Sequence, residues 1–276
     1  MNSRSSSPVS TEKREQRARL RVYTARATLC FIFTIGWELG SGRFLDPFYF
    51  SSPSKVVLML ANEFGAAGFW NDLRVTSTEL LLGFLGGASA GVLTGHALGR
   101  WQFLCAVLEP FLVALNSIPR IALAPLLVIW FGIDLASKVV LAASLVYFIT
   151  FFNTLAGVRG VDAGLLSVAR IQGANDRQLF LKVVLPSASS WIFTGLKLSL
   201  PFALIGVIVG EFMAASSGIG YRLNMYSTSY NTTGTMAMLA VMMFFMLLLN
   251  GVMDLSEARL MRWRPKPTFG LERSFL

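Results

Sequence analysis

Few residues in this chain have the type and spacing for bond-making chemistry. There is one histidine, His96, and there are two cysteines, Cys30 and Cys105, in separate apolar runs. The cysteines have neither metal-ligand spacing nor a disulfide framework, so they read as small buried apolar residues. A lone histidine beside a run of small residues reads as a packing residue, and His96 is assigned no chemistry. H-E-x-x-H and the G-x-x-x-x-G-K-[ST] phosphate loop are both absent. A membrane enzyme would need a nucleophile with a base, or a metal set, and neither is available. What remains is a small set of charges inside apolar runs: Glu109, Arg120 and Glu211. Such groups are costly in lipid and need a partner or a polar cavity. Arg120 is a candidate for attracting an anion along a path, and Glu211 for shaping its outer gate. Each has a plainer alternative, a salt bridge or helix-start contact for Arg120 and a helix-end cap for Glu211.

The elements that must position these charges are membrane helices. Charged residues make up only 14% of the chain, against roughly a quarter in a soluble domain. Several apolar runs approach the roughly 20 residues that span a bilayer. The expected fold is all-α, a polytopic membrane protein with about six transmembrane helices. Residues 1–22 are Ser-rich and then basic, which predicts a disordered cytoplasmic tail. Residues 23–75 hold the first span, ending near Glu38 at the interface, and an outer amphipathic helix. That helix opens at Pro53-Ser54 and runs through Val57, Leu58, Leu60, Ala61 and Phe64. Residues 76–257 form the main membrane core, with a polar loop at 158–190, and 258–276 form a cytoplasmic tail.

The second span, 76–99, carries Gly83, Gly87, Gly91, Gly95 and Gly99, one every four residues. That step keeps them on one slowly turning stripe, where another helix's backbone can approach closely. The third span, about 103–131, contains Pro110, Pro119 and Pro125, which predicts a bent or broken helix. Glu109 and Arg120 lie about three turns apart in it, too far to pair within one straight helix. The fourth span is 138–157, the fifth 191–213 with Pro201 inside it, and the sixth 235–255.

Six spans place both termini on one side. With the tails inside, seventeen lysines and arginines face the cytoplasm and five face outward, with Arg120 and Lys197 within spans. That bias satisfies the positive-inside rule. The net charge of +9 therefore reads as topology, and nucleic-acid binding is not needed.

The loop 158–190 is the only long, polar, helix-capable segment between two strongly apolar runs. Asp162 caps a helix carrying Leu165, Leu166, Val168 and Ala169. Gly173 stops it with a left-handed turn. Asn175 with Gln178 makes a capping box for a second helix, with Leu179, Phe180, Val183 and Val184 on one side. Leu185-Pro186 is expected to end that helix.

The order Ala169-Arg170, Gly173-Ala174, Leu185-Pro186-Ser187-Ala188 resembles the cytoplasmic "EAA" loop of ABC-importer permease subunits. The family's Glu-Ala-Ala opening falls on Ser167-Val168-Ala169, so its acidic residue is absent. Two further stretches, Ile118–Pro125 with Trp130–Ile133 and Gly210–Phe212 with Gly220-Tyr221, resemble the branch that moves nitrate, alkanesulfonates and taurine. Related permeases move vitamin precursors.

The resemblance implies a type I ABC importer transmembrane domain in the cell (inner) membrane, with no cofactor bound by this chain. ATP and magnesium would sit on a separate cytosolic ABC ATPase. That ATPase would dock on a coupling loop at Ser167, Val168, Ala169, Gly173, Ala174, Leu185 and Pro186. A periplasmic or lipoprotein substrate-binding protein would deliver the solute, and two copies of the chain would form a homodimer in membrane lipid. The competing expectation is a secondary transporter or channel driven by an ion gradient. Carriers often show internal repeats and intramembrane acids, and no convincing repeat is present here.

Overall fold

A computed structural model describes residues 8–44, 46 and 48–261, and the side chains from residue 20 onward. The described residues contain α-helices and no extended ladder of strands. The helices are α1 (Pro8–Gly40), α2 (Pro53–Gly65), α3 (Ala67–Arg100), α4 (Gln102–Asn116), α5 (Ala124–Phe131), α6 (Leu135–Arg159), α7 (Ala163–Ile171), α8 (Asp176–Leu179), α9 (Leu185–Ala214), α10 (Ile219–Thr228) and α11 (Thr232–Leu260). They fall into two compact units, one of residues up to Gly65 with Tyr226–Ala237, the other of Ala66–Met225 with residues from Met238 onward.

In the first unit, the Trp37 indole N–H donates to the Ser51 carbonyl at 2.7 Å. The Glu38 carboxylate accepts from the Ser54 amide at 3.0 Å and its hydroxyl at 2.8 Å. An anion there offsets the partial positive charge of the α2 N-terminus. α2 buries Val56 and Glu63 and exposes Val57, Leu58 and Phe64. Glu63 accepts a hydrogen bond from the Tyr226 hydroxyl.

Two expectations for the N-terminal part are corrected. Residues 8–22, expected to be disordered, lie within α1. Pro8 starts a helix well, and Glu12 to Leu20 are almost all good helix formers, so charge alone does not break it. The apolar part of α1 is shorter than that of the long helices that follow. Its apolar run is confined to residues 27–37, between Arg26 and Glu38. Among the described residues, four helices are long and apolar enough to cross a membrane, and a fifth crossing arises if α4 and α5 are one broken span. The α4–α5 break measures 73° and falls at residues 117–119, where Pro119 denies α4 a continuation. Residues 67–75, assigned from sequence to the outer segment, are the first turns of α3, because no proline interrupts them.

The second unit is built around α6. The stripe on α3 faces it along its length. A Cβ on Gly83 would lie 2.6 Å from the Ala142 Cβ, one on Gly91 2.6 Å from the Tyr147 carbonyl oxygen, and one on Gly95 2.7 Å from that of Phe151. A Cβ on Gly87 would meet the Ala143 backbone, and one on Gly99 the Val158 side chain. Both sets of numbers rise together, so α3 and α6 run parallel. On α9 the order is reversed: Gly195 meets Asn153, Gly206 meets Ala142 and Gly210 meets Lys138. α9 is therefore antiparallel to α6.

Leu80, Phe84 and Ala88 of α3, Ala142 and Val146 of α6, and Leu200, Ala203, Leu204 and Val207 of α9 form the core. Met242, Phe245, Met246 and Leu249 of α11 pack against it. Leu93, Phe103, Ile129 and Phe244 stay exposed, as expected of surfaces solvated by lipid.

Candidate functional site: the 158–190 loop and a buried polar network

The Asp162 carboxylate accepts from the Gly164 amide at 2.6 Å and caps α7. At the other end the Gly173 amide donates to the Arg170 carbonyl and the Ala174 amide to that of Ala169. This pair of bonds is a Schellman closure, and it requires the left-handed φ of +82° that Gly173 adopts. Asn175 then caps α8. Its side chain accepts from the Gln178 amide at 2.8 Å, while the Gln178 side chain accepts from the Asn175 amide at 3.0 Å.

The expected stop at Leu185-Pro186 does not occur. Phe180–Val184 is a π-helical stretch, and it leads without interruption into α9. The Leu185 amide bonds to the Phe180 carbonyl, one residue further back than in an α-helix. Pro186 then occupies the first turn of α9, where its missing N–H costs nothing. Wider winding before the proline avoids the clash that would have ended the helix. The polar loop is thus joined rigidly to a membrane helix.

α7 turns an apolar face outward, with Leu165 55% exposed, Val168 53% and Ile171 86%. Beside it, Ala169, Gly173 and Ala174 line a cleft with Gln172, Gln178, Lys182 and Val183. Ser167 lies exposed on α7, its hydroxyl bonded to the Ala163 carbonyl at 2.9 Å. Leu185 and Pro186 sit beyond the cleft, at the root of α9. The Phe180 ring packs on His96, with centroids 4.4 Å apart, so the only histidine in the chain ties the loop to α3.

The intramembrane charges are all engaged. Arg120 donates to the Asn116 side chain at 2.7 Å and lies 4.1 Å over the Phe148 ring. Arg159 binds Glu109 at 3.0 Å and Cys105 Sγ at 3.0 Å. Lys197 of α9 pairs with Asp254 and Glu257 of α11. Glu211 is 1% exposed and belongs to a larger network. It accepts from the Thr76 hydroxyl at 2.6 Å and the Gly220 amide at 2.5 Å. The Ile219 amide donates to Thr76 at 2.8 Å, and the Gly218 amide to Asp72 at 2.9 Å. Asp72 also holds Arg222. Glu79 pairs with Lys138 at 3.3 Å. Asp72 and Thr76 of α3 thus fix the turn between α9 and α10, with Gly218 at φ +115°. Sequence reasoning missed Asp72, Thr76, Glu79 and Lys138. The signal for the first three was the run of polar residues near the start of α3, which reads equally well as an exposed face.

Residues 87–263 match the family described as binding-protein-dependent transport system inner membrane component. The chain belongs to this family. Its relatives include the putative aliphatic sulfonates transport permease protein of Bacillus subtilis (strain 168), 33% identical over 77% of each chain. The taurine transport system permease protein of Escherichia coli (strain K12) is 27% identical over 86% of this chain and 88% of its own. The formylaminopyrimidine transport permease protein of Halalkalibacterium halodurans is 29% identical over 87% and 96%. Among solved structures, an inward-facing form of the MetNI methionine ABC transporter superposes with a TM-score of 0.52 at 21% identity, covering 75% of this chain and 97% of that one. The fold is that of a type I ABC importer transmembrane domain, and the chain is a multi-pass inner-membrane permease.

Proposed function

We propose that this permease forms the translocation path for a small nutrient such as a sulfonate, taurine or nitrate, and is driven by ATP hydrolysis on a separate chain. The observation that carries this is the 158–190 loop. It presents an uncovered apolar face, Leu165, Val168 and Ile171, beside a cleft, and it runs unbroken into a core membrane helix. An apolar face of that kind calls for a partner, and rigid attachment to α9 carries the partner's movement into the bundle.

In this reading a cytosolic ATPase, holding ATP and magnesium, docks on Ser167, Val168, Ala169, Gly173 and Ala174. Leu185 and Pro186 pass its displacement to α9. With α1 as a further crossing, both termini and the loop lie in the cytoplasm, consistent with the bias of lysine and arginine. A substrate-binding protein delivers solute to the opposite face, and two copies of the permease enclose the path. The chain itself catalyses nothing. The relatives named for sulfonates and taurine favour a small acid as cargo.

The test is ATP-driven uptake into vesicles that carry the permease, its ATPase and its binding protein. Uptake is expected to need all three, and to be lost with Gly173→Val while the chain still inserts. Transport by this chain alone down an ion gradient, indifferent to ATP and to Gly173, would overturn the reading in favour of a secondary carrier.

A further inference from the structure

His96 sits on a firmly held part of α3. Gly95 just before it and Gly99 one turn on bring that helix against α6. A Cβ on Gly95 would lie 2.7 Å from the Phe151 carbonyl oxygen, and one on Gly99 2.6 Å from the Val158 side chain. From this platform the imidazole reaches the 158–190 loop, its ring centroid 4.4 Å from that of Phe180 with the planes tilted by 57°. Both side chains are half-buried. The contact is ring against ring. His96 Nδ1 is buried without a hydrogen-bond partner among the described residues, so that nitrogen adds nothing to the tie.

Phe180 is also the residue whose carbonyl accepts the Leu185 amide, the wide bond that defines the π-helical stretch. Its ring position and the register of that stretch are therefore linked. If Phe180–Val184 tightened by one residue into α-helical winding, everything before it, Phe180 included, would turn by roughly 100° about the axis of α9. The ring would leave His96. Conversely, a ring held on His96 keeps the turn wide. Pro186 makes regular winding unfavourable there, but it does not hold the loop to any neighbour. Single π-helical turns are rare and recur at functional sites.

We propose that His96 is a positioning residue for transport: by holding the Phe180 ring it fixes the register of Phe180–Val184, and so the direction in which α7 presents Leu165, Val168 and Ile171. The role in transport rests on the importer reading; the hold on the register does not. The contact also gives the loop a second grip on the bundle. α9 follows the loop because the two are continuous. α3 meets α9 in the core through Leu80, Phe84 and Ala88, far from the loop, and His96 joins its other end to the loop directly.

Two measurements test this. Hydrogen exchange is followed on the full chain in nanodiscs. Uptake and ATP hydrolysis are followed in vesicles carrying the chain, its ATPase and its binding protein, with taurine, ethanesulfonate and nitrate offered as solutes. His96→Ala is expected to speed exchange at Phe180–Leu185 by about tenfold, a local opening that leaves α6 and the first half of α3 unchanged. Pro186 still opposes regular winding, so the released stretch has no fixed register. The same variant is expected to lose most of the solute taken up per ATP hydrolysed. His96→Phe, which keeps a ring and loses both nitrogens, is expected to match the unmodified chain in both measurements. Because His96→Ala can fail to fold, Phe180→Ala tests the contact from the loop side. It is expected to lower uptake per ATP as much, and the double variant no further. Exchange that rises evenly through α3, α6 and α9, or His96→Phe that behaves as His96→Ala, assigns His96 to packing alone and overturns the proposal. Unchanged uptake per ATP in His96→Ala, or additive losses in the double variant, overturns it too. An unmodified chain that moves none of the three solutes with ATP removes the importer reading and the transport role with it. Local exchange in His96→Ala then still decides whether His96 holds the register.

Discussion

Lys138 Nζ lies 3.3 Å from Glu79 Oε1, and the pair joins the first turn of α6 to the N-terminal half of α3. Both side chains are buried, so neither charge has water to fall back on. Removing one partner strands the other. Lys138→Met alone is expected to cost about 3–5 kcal/mol, and the double variant Glu79→Gln with Lys138→Met distinctly less. Thermal unfolding of the detergent-purified protein checks this. Equal losses in the single and double variants would show that the pair is not coupled.

The glycines of α3 give a sharper contrast. Gly91 and Gly86 are both helical glycines on one element, yet a Cβ on Gly91 would sit 2.6 Å from a backbone oxygen of α6, and one on Gly86 meets nothing within 4 Å. Gly91→Ala must push two backbones apart, and is expected to destabilise by about 1–3 kcal/mol. Gly86→Ala is expected to be neutral or to stabilise by up to about 1 kcal/mol, through helix propensity. A fluorescence-detected measure of the folded fraction after heating separates the two. The prediction fails if both variants behave alike.

These two cases show what was legible in the sequence. The glycine stripe and the caps of the 158–190 loop depend on residues within four or five positions of one another, and spacing reveals them. The bonds from Asp72 to Arg222, Thr76 to Ile219 and Glu79 to Lys138 join residues that spacing cannot connect. Nothing local marks Asp72 as buried. The misreading of Pro186 has another cause. Its ring forbids a regular α-helical bond, but it does not forbid a wider turn, and Phe180–Val184 supplies one.

That π-helical stretch is open to test. Pro186→Ala removes the clash, so Phe180–Val184 is free to tighten into α-helical winding. Tightening by one residue rotates α7 and α8 by roughly 100° about the axis of α9, from the 3.6 residues of each turn. The loop's apolar face would then point elsewhere. The expected result is a permease that inserts and unfolds normally but loses most ATP-driven uptake. Hydrogen exchange at Phe180–Leu185 should slow in the same variant, because regular helical bonds replace longer ones. Normal uptake with slowed exchange would show that the direction of the loop does not matter to transport.

Arg120 supplies the last contrast. It stacks 4.1 Å over Phe148 and holds Asn116, on a turn between two helices bent by 73°. If Arg120 serves only to fix that bend, Phe148→Leu and Arg120→Ala should destabilise to a similar degree. A partly desolvated cation–π contact is worth about 1–2 kcal/mol. If it also attracts an acidic solute, Arg120→Ala should slow uptake well beyond what Phe148→Leu does at matched stability. Arg120→Lys, which keeps the charge and loses the planar stack, then decides the matter. Uptake that survives in Arg120→Lys assigns the role to charge, and uptake that falls with stability in all three variants assigns it to the bend alone.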